Sequence, residues 1–143
     1  MSKTLVQIVS RQTMPNLLAA MAVRPERIVH VCTQAMKYAS GNLVRAYSDA
    51  GLQVQVAEKD VAVHSAMSEV FECVKGVASE NPDAVVNFTG GTKLMSIGAY
   101  GAATNCKLPS FYVDTETGLF LDGRTGSGVR GVFPEGNLDI AQV

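Results

Sequence analysis

One stretch of the chain has the residue types that bind an anion at the end of a strand. Residues 85–88, Val-Val-Asn-Phe, are typical of a buried strand, and Thr89-Gly90-Gly91-Thr92-Lys93 follows them. A glycine turn that leads into a helix exposes backbone N–H groups at the positive end of the helix dipole. Lys93 adds a full positive charge, and threonine hydroxyls can donate hydrogen bonds to phosphate oxygens. The stretch therefore predicts an anion site.

The order of strands and helices predicts where this stretch lies. Strands alternate with helices, which predicts an α/β, Rossmann-like fold with a mostly parallel sheet of order about 3-2-1-4-5 and a C-terminal β-hairpin at one edge. The third strand alternates between apolar and polar residues, so we expect it at an edge. The predicted strands are 4–9, 27–32, 52–56 and 85–88, the helices begin near 14 and span about 34–50, 63–79 and 92–104, and the hairpin joins 110–114 to 119–122.

This strand order brings a second polar segment to the same place. Ser10-Arg11-Gln12 follows the first strand, and Thr33 follows the second. In such a sheet the connections reverse direction between strands one and four, and ligands bind beyond the carboxyl ends of the strands at that point. We therefore expect Ser10-Arg11-Gln12 and the turn at 89–93 to face one crevice, with Thr33 at its flank.

The helix predicted at 92–104 contains two glycines, Gly98 and Gly101. Glycine inside a helix costs about 1 kcal/mol relative to alanine. We interpret both as packing sites, where another backbone approaches this helix closely.

Composition limits the classes of function. The chain has 143 residues, enough for one domain with a full core, and a formal net charge of −1. A general coat for long nucleic acid is disfavoured, because such proteins carry a basic excess. No apolar run approaches the length of a membrane span, and no secretory signal is recognised. Three separated cysteines and two histidines form no metal-ligand spacing, so we expect reduced thiols, no metal and a cytoplasmic location.

Several familiar catalytic patterns are absent. The chain has no P-loop motif, and no glycine-rich turn follows its first strand, which disfavours a dinucleotide site. No Ser/His/Asp or Cys/His set lies at the strand ends. Acidic residues near the crevice are few, which disfavours a two-metal phosphoryl site.

The crevice segments resemble those of a CARF (CRISPR-associated Rossmann fold) domain. The resemblance is carried by Asn87-Phe88-Thr89-Gly90-Gly91-Thr92-Lys93-Leu94-Met95, with Ser10-Arg11-Gln12 and Met14-Pro15-Asn16-Leu17. It is closest to the sensor domain of the cyclic-oligoadenylate-activated CRISPR ancillary nucleases. It implies a CARF domain at 1–125, followed by a linker or C-terminal tail at 126–143. It further implies a homodimer that binds cyclic oligoadenylate, expected to be cyclic tetra-adenylate, made by type III CRISPR complexes in antiviral defence.

A free-standing domain of this kind resembles a ring nuclease, which degrades the messenger without metal. The ribose 2′-hydroxyl would attack the adjacent phosphate and leave a 2′,3′-cyclic phosphate. Matching by motif assigns two catalytic residues: Lys93 would neutralise developing charge, and Ser10 would orient the phosphate or hydroxyl. No cofactor is implied. The expected ligand-binding residues are Ser10, Arg11, Gln12, Thr33, Thr89, Gly90, Gly91, Thr92 and Lys93.

Other interpretations stay open at this stage. The domain could be a non-cleaving sensor half of a nuclease, or a sponge for the ring. It could also be a Rossmann-like domain for an unrelated nucleotide, or a transcription regulator. Ser10 and Thr33 could cap helices, since serine and threonine favour that position. Arg11 and Gln12 could be solvated, the glycine turn could hold no ligand, and Tyr112 is assigned to the core.

Overall fold

The computed structural model describes residues 3–130 and places them in a single layered α/β unit. Short 3₁₀ turns at Gln34–Met36 and Val63–Ser65 lead into the second and third helices. The strands are β1 (Thr4–Ile8), β2 (Arg27–Cys32), β3 (Gln55–Asp60), β4 (Val85–Asn87), β5 (Ser110–Asp114), β6 (Leu119–Asp122) and β7 (Gly128–Arg130), and the helices are α1 (Met14–Val23), α2 (Lys37–Asp49), α3 (Ala66–Glu80) and α4 (Lys93–Asn105).

The sheet confirms the predicted topology. Its order is β3-β2-β1-β4-β5-β6-β7. The strands β1 to β5 pair in parallel, and β6 and β7 continue the sheet in antiparallel fashion. Helices α1 and α2 cover one face and helices α3 and α4 the other, so two apolar cores enclose a buried sheet. The reversal of connections therefore lies between β1 and β4, as expected.

The third strand differs from the prediction. It spans Gln55–Asp60 rather than 52–56, because the start of the predicted segment still belongs to the connection from α2. The N–H of Leu52 donates to the carbonyl of Tyr47 at 2.9 Å, and Leu52 and Val54 pack against the core from that connection. The paired strand itself ends in Glu58, Lys59 and Asp60, all exposed, as an edge strand permits.

A further strand lies where the sequence suggested a linker. Gly128–Arg130 forms β7 and pairs with β6, with Phe120 opposite Val129. Val129 packs against the core on the α1 and α2 side. The sheet thus continues past residue 125. The predicted domain boundary at 125 stays a prediction, and the tail from 131 to 143 lies outside the described residues.

Helices α3 and α4 pack closely at a glycine. A Cβ atom added to Gly98 would overlap the backbone carbonyl oxygen of Met67 on α3, while one at Gly101 would make ordinary contact with the Phe71 ring. The packing role predicted for Gly98 is therefore confirmed. Among the helices within residues 3–130, none has the length and apolar character needed to cross a bilayer.

The contact at Gly98 yields a stability prediction. Gly98→Ala should lower the free energy of unfolding by about 1–3 kcal/mol, because α3 and α4 must move apart to admit the methyl group. Gly76→Ala is the matched control, since it lies within α3 and a Cβ there meets no atom within 4 Å. The control should be neutral or stabilising by up to about 1 kcal/mol. Urea denaturation measures both, and equal behaviour of the two variants would contradict the packing argument.

Candidate functional site

The turn after β4 depends on two glycines with left-handed backbone conformations. Gly90 has φ of +95° and Gly91 has φ of +69°. A Cβ on Gly91 would overlap Cγ2 of Ile8, and a Cβ on Gly90 would lie 3.1 Å from the carbonyl oxygen of Ile8. Both the φ angles and the close approach to β1 require glycine. The turn is therefore held against the end of the neighbouring strand.

Side chains around this turn fix its ends and leave its centre open. The Thr89 N–H donates to Asn87 Oδ1 at 3.0 Å, and Thr89 Oγ1 accepts from the Val113 N–H at 2.6 Å. Thr92 caps α4 by accepting from the Met95 N–H at 3.3 Å. Within residues 3–130, the N–H groups of Gly90, Gly91 and Thr92 have no hydrogen-bond partner. Three backbone donors at a helix N-terminus are thus available to an anion.

The segment after β1 lies directly beside this turn. Parallel pairing places Gln7 opposite Asn87, so the two chains leave the sheet side by side. The Ser10 Oγ lies 3.2 Å from the position that a Cβ on Gly90 would occupy, and it donates to the Gln12 carbonyl at 3.3 Å. Arg11 and Gln12 are exposed. Arg11 makes no ion pair within the described residues, so its charge is available at this edge.

The two segments form one open cleft of about 520 Å³. Eight of the nine predicted ligand residues line it, which are Ser10, Arg11, Gln12, Thr33, Thr89, Gly90, Gly91 and Thr92. The ninth, Lys93, does not line the cleft. It begins α4 next to Thr92, is exposed, and makes no ion pair within residues 3–130. The expected assembly is therefore present, with Lys93 at its rim.

The cleft also has an apolar part that sequence reasoning missed. Tyr112 was assigned to the core, but 42% of its surface is exposed and it lines the cleft. Alternation along β5 could have indicated this, because Phe111 and Val113 face the core and Tyr112 must face away. The other missed lining residues are Val9, Pro15, Met36, Val63 and Met95. They come from four different segments, so no local pattern marks them.

A second groove, of about 530 Å³, lies between β3 and α3. Three glutamates, Glu69, Glu72 and Glu80, line it, with Arg27 and Lys59 as the cations. This excess of carboxylates disfavours a polyanion there. The cleft at the glycine turn is the better candidate, because it combines free N–H groups with unpaired cations.

Behind the cleft lies a fully buried histidine. His30 Nδ1 is 2.8 Å from Ser40 Oγ, and its Nε2 is 2.8 Å from Tyr47 Oη. Burial lowers the pKa of His30 from 6.5 to about 4, although the Glu58 carboxylate opposes this shift. Burial likewise raises the pKa of Tyr47. The pKa of Glu58 lies below its ordinary value, chiefly because Ser40 donates to it.

Comparison with known families assigns this fold. The family model of the Card1 CARF domain matches residues 4–121. The chain belongs to the CARF family. No curated protein shows a significant sequence match to it. The match spans both cleft segments, so the glycine turn and Ser10-Arg11-Gln12 are parts of a CARF domain.

Solved structures share the architecture. Can2 from Sulfobacillus thermosulfidooxidans, in complex with cyclic tetra-adenylate, is similar with a TM-score of 0.84 and 23% identity, over 92% of this chain and 38% of Can2. Protein VC1899 from Vibrio cholerae has a TM-score of 0.77 at 11% identity, over 90% and 36% of the two chains. A type III CRISPR defence DNA nuclease activated by cyclic oligoadenylate has 0.75 at 21% identity, over 92% and 21%. The chain thus spans less than two fifths of each neighbour's length.

The buried histidine yields a pH prediction. Between pH 6.5 and about 4, the unfolded chain protonates this imidazole while the folded chain does not, so the free energy of unfolding falls as the pH falls. The loss attributable to His30 should approach about 3 kcal/mol. Urea denaturation across this range should show a weaker pH dependence for His30→Gln than for the parent protein. The exposed His64 gives the control His64→Gln, which should retain the parent slope. An unchanged slope in His30→Gln would contradict the assignment.

Proposed function

We propose that this CARF domain binds cyclic tetra-adenylate across a homodimer in type III CRISPR signalling, in the cytoplasm. The observation that carries the proposal is the set of three unpartnered N–H groups at Gly90, Gly91 and Thr92, beside the free cations Arg11 and Lys93. Backbone donors at a helix N-terminus bind phosphate well. The complex of Can2 with cyclic tetra-adenylate and the activation of a neighbouring nuclease by cyclic oligoadenylate support this ligand class.

The cleft also suits the bases of such a ligand. Its polar side presents hydroxyl and N–H donors, while Met36, Val63 and Tyr112 present apolar surface on the other side. Purine rings bind well to apolar and aromatic side chains. A nucleotide with a phosphate at the glycine turn and a base near Tyr112 would use both halves of the cleft.

Exposed apolar residues on α4 support a dimer. Leu94 and Ile97 are each 51% exposed and lie three residues apart, so they share one face of the helix that begins at Lys93. Exposed apolar pairs of this kind fit an interface between subunits. A cyclic tetranucleotide has two-fold symmetry, which a C2 dimer can match. Two copies of Lys93 and of the α4 N-terminus would then face one ring, so a chain of net charge −1 can still bind a polyanion.

The same geometry supports metal-independent cleavage of the ring. The ribose 2′-oxygen would attack the adjacent phosphorus, and the bond from phosphorus to the 5′-oxygen would break. The 2′-hydroxyl proton would pass to solvent and the 5′-oxygen would take one up, leaving a 2′,3′-cyclic phosphate and a 5′-hydroxyl. Lys93 would stabilise the negative charge of the transition state, and the Ser10 hydroxyl, beside Gly90, would orient the phosphate.

A second candidate is a sensor that binds the ring without cutting it. The observation that favours it is coverage: the matched regions are 38% of Can2 and 21% of the activated nuclease, so most of each neighbour lies outside the CARF domain. In that role the cleft would serve binding alone. Cleavage of the ring distinguishes the two candidates.

Binding and cleavage can be tested together with Lys93. Lys93→Ala should weaken binding of cyclic tetra-adenylate by about 1–3 kcal/mol, the usual scale for a charged hydrogen bond. Lys75→Ala on α3 removes the same charge away from the cleft and should bind as the parent does. Calorimetric titration measures affinity, and chromatography of the ring after incubation in EDTA measures cleavage. Absence of binding by the parent would overturn the proposal, and binding with an intact ring at high protein concentration would select the sensor.

The dimer can be tested on α4. Ile97→Glu should convert the protein to a monomer, because it places two carboxylates against each other at the apolar interface. Val44→Glu on α2 is the control, since Val44 is similarly exposed but lies on another helix. Sedimentation velocity reports the oligomeric state. A parent protein that is monomeric at micromolar concentration, with and without the ring, would contradict the shared site.

A further inference from the structure

A chain of buried polar side chains begins at the glycine turn. The Thr89 N–H donates to Asn87 Oδ1 at 3.0 Å, and Asn87 Nδ2 donates to Gln7 Oε1 at 2.7 Å. Gln7 Nε2 then donates to Tyr47 Oη at 2.9 Å. The side chains of Asn87, Gln7 and Tyr47 are at most 1% exposed. These bonds connect the anion turn to helix α2 through the middle of the sheet.

The chain continues from Tyr47 to the edge strand. Tyr47 Oη and Ser40 Oγ each lie 2.8 Å from a ring nitrogen of His30, at Nε2 and Nδ1 respectively. Ser40 Oγ donates to Glu58 Oε2 at 2.5 Å. Glu58 Oε1 binds Lys37 Nζ at 3.2 Å, and Lys37 also pairs with Asp60. We call the set Thr89, Asn87, Gln7, Tyr47, His30, Ser40 and Glu58 the donor relay.

The direction of the first bonds is fixed by backbone groups. The Thr89 N–H can only donate, so the Asn87 oxygen must face it and the Asn87 NH₂ must face Gln7. Independently, Gln7 Nε2 lies 3.1 Å from the Asn16 carbonyl, which can only accept. The Gln7 oxygen must therefore face Asn87 and its NH₂ must face Tyr47. Two separate backbone groups thus give the same orientation of both carboxamides.

The direction of the remaining bonds follows from this orientation. Tyr47 accepts from Gln7, so its own hydrogen goes to His30 Nε2, which must be unprotonated. The His30 proton then lies on Nδ1 and is donated to Ser40, whose hydrogen goes to the Glu58 carboxylate. A carboxylate only accepts, so the other end of the chain agrees with this direction. Every donor in the relay therefore points from the anion turn towards Glu58.

A relay of this kind is sensitive at its terminus. Hydrogen bonds arranged head to tail polarise one another, and a buried polar group without a partner is costly. A reversal at any one residue places two donors or two acceptors opposite each other further along. The two backbone groups at the Thr89 end cannot reverse. A change at Glu58 must therefore be absorbed by movement of the side chains that hold Thr89.

We propose that Glu58 is a positioning residue for the anion turn, acting through the donor relay from the far edge of the sheet. Glu58 is exposed on β3 and is not among the residues that line the cleft. Its carboxylate holds His30 in the Nδ1–H tautomer, and this tautomer holds Tyr47, Gln7 and Asn87 in the orientation that fixes Thr89. The inference rests on the proposed function only for the identity of the ligand.

The decisive variant is Glu58→Gln, with Asp60→Asn as its matched control. The introduced carboxamide has one oxygen, and Lys37 can only donate, so that oxygen faces Lys37 and the NH₂ faces Ser40. Ser40 then accepts, and its hydrogen turns to His30 Nδ1, which drives the imidazole to the Nε2–H tautomer. Asp60→Asn removes the same charge from the same lysine, but Asp60 makes no contact with Ser40 among the printed hydrogen bonds of residues 3–130. The control leaves the relay intact.

Three measurements at pH 7 test the proposal. Imidazole ¹H–¹⁵N correlations should find the Nδ1–H tautomer in the parent and in Asp60→Asn, and the Nε2–H tautomer in Glu58→Gln. Hydrogen exchange of the Thr89 amide in the ligand-free protein should be faster in Glu58→Gln alone. Affinity for cyclic tetra-adenylate should fall by about 2- to 30-fold in that variant only.

The outcomes separate the relay from the proposed function. An Nε2–H tautomer in the parent overturns the relay without any variant. An unchanged tautomer and unchanged Thr89 exchange in Glu58→Gln, or the same changes in Asp60→Asn, overturn the positioning role. A parent protein that fails to bind the ring overturns the proposed ligand, whereas the tautomer and exchange measurements still decide the relay.

Discussion

The contact between the glycine turn and the end of β1 is the constraint on which the site depends. Gly91 lies so close to Ile8 that a Cβ atom would overlap it, and Gly90 approaches the Ile8 carbonyl. Because both residues also have positive φ, the backbone can adopt this path only with glycine. The path directs three N–H groups away from the protein and starts α4 at the cleft. The anion site is thus a consequence of packing between two strand ends.

Local charge explains how a weakly acidic chain can hold a polyanion. The net charge of −1 supplies no general attraction, so binding must come from groups placed at one edge of the sheet. Lys37 is unsuited to this task, because Glu58 and Asp60 pair with it and raise its pKa. Arg11 and Lys93 make no ion pair within residues 3–130. The molecule therefore separates a paired cation at the edge strand from two available cations at the cleft.

The sequence predicted most of the fold and the polar half of the cleft. Regular apolar strands such as Arg27–Cys32 carry a clear pattern, and strand order follows from the alternation of strands and helices. Charged β3 was misplaced because an edge strand needs no apolar repeat. Tyr112, Met36 and Val63 reach the cleft from separate segments, and their meeting is a property of the folded chain. Lys93 matched the motif, yet the structure places it at the rim.

The buried polar residues were least predictable from sequence. Gln7 and His30 lie within strands whose pattern is nearly apolar, and parallel pairing makes them neighbours. Their partners Tyr47 and Asn87 are 40 and 80 residues from Gln7 along the chain. A local pattern cannot reveal bonds at such separations. They explain how a sheet covered on both faces tolerates polar side chains, because each is satisfied by another.

The central claim is that the glycine turn at the switch between β1 and β4 binds the phosphates of a cyclic oligoadenylate. Titration of ¹⁵N-labelled protein with cyclic tetra-adenylate, followed by amide chemical shifts, tests it most directly. The account predicts the largest changes at Gly90, Gly91 and Thr92, with smaller changes at Ser10 and Arg11. Changes confined to the groove between β3 and α3, around Glu72 and Gly76, would contradict it.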